Sequence, residues 1–179
     1  MSISRNGISV IVCCYNSSLR LPETIKHLVA QEVGALLQWE VIFVNNNSTD
    51  NTSDVILQEW HKYNPQNVGF KIIDEPRPGQ SFARDKGVEK AQFDIIVFCD
   101  DDNWLCPTHI NTAYFILQND PGIGAVGGQN VPATDAKKIP AWFEEKQANY
   151  AVGKQALQSG DISSREFIWA RSRPVSKGY

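Results

Sequence analysis

The sequence holds no uninterrupted apolar run of the length a membrane-spanning helix requires, about 18 residues. It has no basic start leading into a long apolar segment, so a secretory signal is not expected. Basic residues are scattered: 17 Lys and Arg against 20 Asp and Glu leave a net charge of −3, with no Lys/Arg block. That argues against a nucleic-acid partner. Cysteine is sparse. Cys13, Cys14, Cys99 and Cys106 form no C-x-x-C pair and have no His at ligand spacing, so a zinc site is not expected. Cys13 and Cys99 fall inside or at the ends of apolar strands, where a free thiol acts as a small hydrophobe, and a reducing cytoplasm is the simplest setting. The G-x-x-x-x-G-K-[ST] phosphate loop is missing, no G-x-G-x-x-G follows the first strand, and there is no G-x-S-x-G elbow. There is no internal repeat and no low-complexity linker.

What is present is an ordinary globular composition. A chain of 179 residues, 42% hydrophobic and 21% charged, can bury one sizeable core. Ile8-Ser9-Val10-Ile11-Val12-Cys13-Cys14 reads as a buried strand, ended by Tyr15-Asn16-Ser17-Ser18. A helix opens at Leu21-Pro22-Glu23, with Leu21, Ile25, Leu28 and Val29 on one stripe. A second strand, Glu40 to Val44, runs into the turn formers Asn45 to Asp50, and the next helix carries Ile56, Trp60 and Tyr63 on one face. Phe70-Lys71-Ile72-Ile73 is a short third strand. Glu75-Pro76-Arg77-Pro78-Gly79 is irregular, and Ser81 reads as the N-cap of a helix to about Ala91. After the strand Ile95 to Cys99, a helix from Pro107 places Ile110, Ala113, Tyr114 and Leu117 together. The run Ile123-Gly124-Ala125-Val126-Gly127-Gly128 reads as a further strand, its glycines allowing close approach to the backbone. The alternation implies an α/β fold with a Rossmann-like, mostly parallel central sheet flanked by helices. Beyond residue 130 the pattern weakens, apart from the aromatics Trp142, Phe143 and Trp169.

The fourth strand ends in Asp100-Asp101-Asp102. Three consecutive carboxylates at the edge of an apolar core repel one another and lose solvent. A divalent cation removes that cost, and ligands of open α/β sheets sit at this edge. Carboxylates suit Mg2+ or Mn2+. The alternative is a solvated acidic turn or a helix cap. Cys13-Cys14-Tyr15-Asn16 and Asn45-Asn46-Asn47-Ser48 end the first two strands, so a parallel sheet gathers all three clusters at one edge. The combination suits a nucleotide diphosphate: the base against Tyr15 and the Asn cluster, the diphosphate on a metal, with Arg77 and Arg84 adding positive charge. Taken singly, the Asn cluster reads as a turn and cap, Arg84 as an ion-pair partner, and Tyr15 as packing.

These motifs, in this order, resemble the N-terminal, nucleotide-sugar-binding part of a family 2 glycosyltransferase of the GT-A fold. The family's S-V-I-I-P-x-Y-N strand is matched by Ser9 to Asn16, and its V-D-D-G-S-x-D by Val44 to Asp50. Gly79 to Gly87 matches G-x-x-x-A-R-N-x-G, and Asp100-Asp101-Asp102 the D-x-D element. The resemblance implies that Cys13, Cys14 and Tyr15 line the nucleotide site. Asn45 stands where an Asp usually accepts from uracil, Arg84 holds the diphosphate, and Asp100 and Asp101 face the ribose and sugar. The metal, Mg2+ or Mn2+, falls to Asp100 and Asp102. The implied reaction is transfer of a sugar from a nucleotide-diphosphate donor, UDP-linked, to a glycan or lipid-linked acceptor, with inversion, in polysaccharide synthesis. The implied setting is the cytoplasm, at the inner face of the membrane, with peripheral membrane association and homo-oligomerisation left open.

Two departures accompany the resemblance. Asn45 replaces a carboxylate, although an amide oxygen still accepts. The family's base lies in an E-D pair after a W-G-A-G-like segment. Here Ile168-Trp169-Ala170 begins that segment, Arg171-Ser172-Arg173-Pro174 breaks it, and Glu144, Glu145 and Glu166 do not match the pair in context. The expectation is a C-terminally truncated chain with a nucleotide-sugar-binding core over 1–130 and an incomplete acceptor region over 131–179. The alternative function is a non-catalytic nucleotide-sugar-binding fragment. Trp142, Phe143 and Trp169 are then acceptor-site aromatics or an exposed patch that promotes self-association.

Overall fold

A computed structural model describes residues 6–133, 139–150, 152–153, 160 and 173–176. The chain runs β1 (Ile8–Cys14), α1 (Leu21–Val29), β2 (Trp39–Asn45), α2 (Thr52–Tyr63), β3 (Gly69–Asp74), α3 (Gln80–Lys90), β4 (Ile95–Asp100) and α4 (His109–Asn119). A short α5 (Ala141–Lys146) and β5 (Arg173–Ser176) follow. The sheet order is β3-β2-β1-β4-β5. The first four strands are parallel, and β5 pairs antiparallel to β4. This is the α/β fold with a mostly parallel sheet expected from the alternating pattern, of the GT-A type that the resemblance implied.

Alternation along each strand divides the core. Ile8, Val10, Val12 and Cys14 of β1 face one side, with Val41 and Phe43 of β2, against Leu21, Ile25 and Leu28 of α1, Ile56 and Trp60 of α2, and Ile110 and Leu117 of α4. Phe43 meets Trp60 edge-on, while Trp60 stacks on Phe70 with ring centroids 4.5 Å apart. Ile11, Ile42, Val44 and Ile96 face the other side, packing with Ala83 of α3. There α3 lies so close that a Cβ on Gly87 would stand 2.4 Å from Ile11 Cγ2. At the amino end of the sheet, Ser9 Oγ donates to the buried Glu40 carboxylate at 2.7 Å. Glu40 also accepts from Gln92 N at 2.6 Å and pairs with Lys71 at 2.7 Å.

Three expectations need correction. Residues 123–128 form no strand. Gly124, Gly127 and Gly128 leave that run few side chains to pack, and glycine weakens a strand. A Cβ on Gly124 would meet nothing within 4 Å, so no close approach explains that glycine. Ile123 and Val126 still pack on the core, and the outer edge of β4 is taken instead by the backbone of β5. Nor is Ser81 the cap of α3: it lies inside the helix, and the cap position belongs to Gly79 at φ 134°. The fourth helix begins at His109 rather than Pro107. Trp142 is half exposed and meets Phe143 edge-on at 5.9 Å, whereas Trp169 and Glu166 lie outside the described residues. Among the described residues no helix is long and apolar enough to cross a membrane.

Candidate functional site

The sheet register assembles the site. Cys14 pairs with Asn45 across β1 and β2, Asn45 with Asp74 across β2 and β3, and Cys13 with Asp100 across β1 and β4. The clusters read from the sequence at three strand ends therefore do meet at one edge. After β1 the chain moves outward to β2 and β3, then returns to place β4 on the other side of β1. That reversal between β1 and β4 is the switch point at which open α/β sheets bind ligands. A cavity of about 360 Å³ lies here. Its wall is built from Cys13, Cys14 and Tyr15 at the end of β1, and from Arg20 before α1. Asn46 closes it from β2, Pro78, Gly79, Gln80 and Ala83 from the start of α3, and Asp101 from β4.

Side-chain amides and hydroxyls knit the surrounding loops together. Asn16, at φ 48°, accepts from Thr49 N at 2.8 Å through Oδ1, and its own N donates to Ser48 Oγ at 3.1 Å. Ser17 N donates to Thr52 Oγ1 at 2.9 Å and Ser18 N to Asp50 Oδ2 at 3.1 Å. Partial desolvation of the Asp50 carboxyl is outweighed by hydrogen bonds from Thr52 and Ser18, which hold its pKa down to about 2. The buried Asn46 staples a different segment. Its Nδ2 donates to the carbonyls of Glu75 at 2.9 Å and Arg77 at 2.6 Å, and its Oδ1 accepts from Gly79 N at 2.8 Å. One amide thus fixes the irregular loop that delivers α3 to the cavity.

The three adjacent acids have three environments. Asp100 accepts from Gln80 Nε2 at 3.2 Å and stands 3.5 Å from Arg84. The Asp101 carboxylate, 15% exposed, takes a 2.6 Å ion pair from Arg20 and a hydrogen bond from Ser17 Oγ. The carbonyl of Asp101 accepts from Thr24 Oγ1 at 2.8 Å, which fastens the cluster to α1. Asp102 is exposed. Burial pushes the Cys13 thiol up to about 12, assisted by the charges of Asp100 and Asp101 against the opposing effect of Arg84. Burial raises Cys14 and Cys99 as well. Protonated thiols are poor nucleophiles and poor metal ligands, so Cys13 and Cys14 serve as apolar lining of the cavity while Cys99 belongs to the core.

Of the residues expected from the sequence, Cys13, Cys14, Tyr15 and Asp101 line the cavity. Asn45 stands at the strand end beside it, donating to Asp74 Oδ1 at 3.0 Å and accepting from Ser48 N at 3.3 Å. Arg84 lies over the Phe98 ring and next to Asp100. Arg77 does not line the cavity. Glu75 clamps it through Nε and Nη2, both at 2.8 Å, and it rests over Phe82. Sequence reasoning passed over Arg20, Ser17 and Gln80 as site residues and took Asn46 only as one member of the asparagine cluster. Arg20 did carry a signal: a cation at the cap of α1 is opposed by the helix dipole, so its place there calls for a carboxylate partner.

Among the described residues no group of three or more His, Cys, Asp or Glu side chains is arranged to enclose a metal ion. Asp100 and Asp102 remain as two carboxylates at an open edge. That set fits Mg2+ or Mn2+, which commonly bind one or two protein carboxylates and complete their shell with substrate phosphates.

The family model described as "Glycosyl transferase family 2" matches residues 9–163. Poly-beta-1,6-N-acetyl-D-glucosamine synthase of Staphylococcus aureus is 27% identical over 126 residues, spanning 68% of this chain and 28% of that protein. The chain thus spans little more than a quarter of the curated relatives it matches. Among solved structures, the mannosyltransferase PcManGT from Pyrobaculum calidifontis, in complex with GDP-Man and Mn2+, superposes with a TM-score of 0.61 at 24% identity, covering 72% of this chain and 36% of that one. S. aureus TarS 1-349 in complex with UDP-GlcNAc gives 0.56 at 22% identity, covering 74% and 38%.

Proposed function

The chain belongs to glycosyl transferase family 2, and from that premise we propose that its cavity between β1 and β4 is the donor site for a UDP-linked sugar, transferred to a glycan or lipid-linked acceptor with inversion. The observation that carries this reading is the composition of one wall. An aromatic ring (Tyr15), a buried amide (Asn46), an arginine (Arg20) and a carboxylate (Asp101) converge on a cavity of about 360 Å³ at the switch point. The relatives support the choice of donor, since TarS has been crystallised with UDP-GlcNAc and poly-N-acetylglucosamine synthase carries its sugar in its name.

In this reading Tyr15, 57% exposed, offers a face for the base, and Asn45 receives the base edge through its amide oxygen. Cys13 and Cys14 give the ring an apolar floor. Asp101 faces the ribose and sugar side, and Arg84 contributes charge toward the diphosphate with Arg77 farther out. Asp100 and Asp102 would hold the divalent cation, which would supply positive charge to the diphosphate leaving group. No carboxylate of this chain is assigned as the base that deprotonates the acceptor hydroxyl. Residues 1–130 supply the donor-binding core and 131–179 contribute to the acceptor region. The protein works in the cytoplasm, at the inner face of the membrane.

Release of UDP from UDP-GlcNAc, followed with and without Mn2+ and with a glucosamine-oligosaccharide acceptor, tests this function. Mn2+-dependent release that the acceptor accelerates is the expected result. Tight UDP-GlcNAc binding without release would instead make the chain a nucleotide-sugar-binding module.

A further inference from the structure

Three arginines surround the carboxyl edge of the sheet, and their partners separate them. Arg77 is clamped by Glu75 and rests over Phe82; Arg84 sits against Asp100 and over Phe98. Arg20 alone of the three lines the cavity. Its three hydrogen bonds, to Asp101 Oδ2 at 2.6 Å, Tyr15 O at 3.3 Å and Ser17 Oγ at 3.4 Å, all run through Nη2. A guanidinium carries five donors in a rigid fork, so one corner can be anchored while another edge receives an oxyanion. Arg20 remains 46% exposed although Asp101 is only 15% exposed, so the pair is anchored on the acid side and open on the cation side.

The anchoring is itself built. Asp101 is fixed through its backbone by Thr24 and through its carboxylate by Ser17. Arg20 occupies the N-cap of α1, where the helix dipole disfavours a cation, with no capping bond from its side chain. Local helix energetics do not favour an arginine here; the Asp101 carboxylate at 2.6 Å holds it in place.

We propose that Arg20 is a phosphate-binding residue of the donor site and that Asp101 is the positioning residue that aims its guanidinium at the diphosphate. This rests on the donor-site reading above and assigns its main cation to a residue other than Arg77 or Arg84. A planar fork held at one corner recognises two phosphate oxygens at once. The contribution is therefore to the diphosphate and not to the nucleoside.

Calorimetric titration of UDP and of uridine at fixed Mn2+ tests the assignment on the full chain, Arg20→Ala, Arg20→Lys, Asp101→Asn and the double variant Arg20→Ala/Asp101→Asn. Arg20→Ala weakens UDP about tenfold or more while leaving uridine within about twofold, because only a charge-assisted bond to phosphate is lost. Arg20→Lys retains part of the affinity. Asp101→Asn weakens UDP less than Arg20→Ala does, and Arg20→Ala costs less in the Asp101→Asn background, the non-additivity of residues acting as a unit. If Arg20→Ala does not fold, Arg20→Gln replaces it: the charge is removed while a polar side chain is kept, and UDP weakened about tenfold or more with uridine within about twofold is again the expected result. Arg20→Ala binding UDP within twofold of the parent chain, or losing uridine as heavily as UDP, would overturn the assignment while leaving the donor site intact. Failure of the parent chain to bind UDP or uridine would overturn the donor site and this assignment with it.

Discussion

Three consecutive asparagines end β2, and their fates diverge. Asn45 pairs with Asp74, Asn46 turns inward to hold the loop of residues 75–79, and Asn47 adopts a left-handed φ of 58°. Replacing Asn46 with alanine strands two carbonyls and one N–H of the 75–79 loop that now bond to this buried amide. The expected cost is about 1–3 kcal/mol in denaturant unfolding, with a parallel loss of UDP affinity because Gly79 and Gln80 lose their position. Acid stability is set by other residues. The Asp50 pKa is held at about 2 by donors that outweigh its desolvation, and that of Glu75 at about 2 chiefly by side-chain bonds from Arg77. Both folded pKa values lie below the unfolded ones, so their stabilisation is complete above about pH 5 and is lost as pH falls from about 4 through 2. Thermal melting across pH 2–7 checks this: the parent chain is flat above pH 5 and falls below 4, and Asp50→Asn/Glu75→Gln shows a shallower acid limb. At this scale the sequence announced a turn-rich cluster, but which asparagine faces inward depends on carbonyls some 30 residues away.

At the level of elements, α3 is the hinge between fold and site. Its first turn lines the cavity, Ala83 packs on the sheet, and Gly87 lets the helix approach Ile11. Gly87→Ala forces a methyl to 2.4 Å from Ile11 Cγ2, and a well-packed contact of this kind costs about 1–3 kcal/mol. Adding Ile11→Ala removes the clashing atoms, so the double variant is expected to cost less than the sum of the two single variants, measured by chemical denaturation. The buried strands and the stripes of α1, α2 and α4 were legible because period-2 and period-3.6 patterns are local. The edge strand was not. Residues 123–128 carry an apolar pattern but too few side chains, while Arg173–Ser176 pairs with β4 across more than 70 residues of intervening chain. A proline inside such a segment suits an edge position. Nothing local marks that distant pairing.

For the whole molecule, the order β3-β2-β1-β4 places every chemically distinctive strand end on one edge and opens a crevice between β1 and β4. The gathering of Cys13 to Tyr15, Asn45 and the three aspartates follows from parallel topology, and so was legible once the strands were recognised. The path of the 75–79 loop, the diversion of Arg77 to Glu75 and the selection of Arg20 were not, because each is decided by a tertiary partner. The most direct test of the donor site is calorimetric titration of UDP, with and without Mn2+, on this chain and on Asp102→Ala. The account predicts binding that Mn2+ strengthens in the parent chain and a loss of that Mn2+-dependent gain in Asp102→Ala. Binding that Mn2+ leaves unchanged, or an Asp102→Ala variant that keeps the full gain, would contradict it.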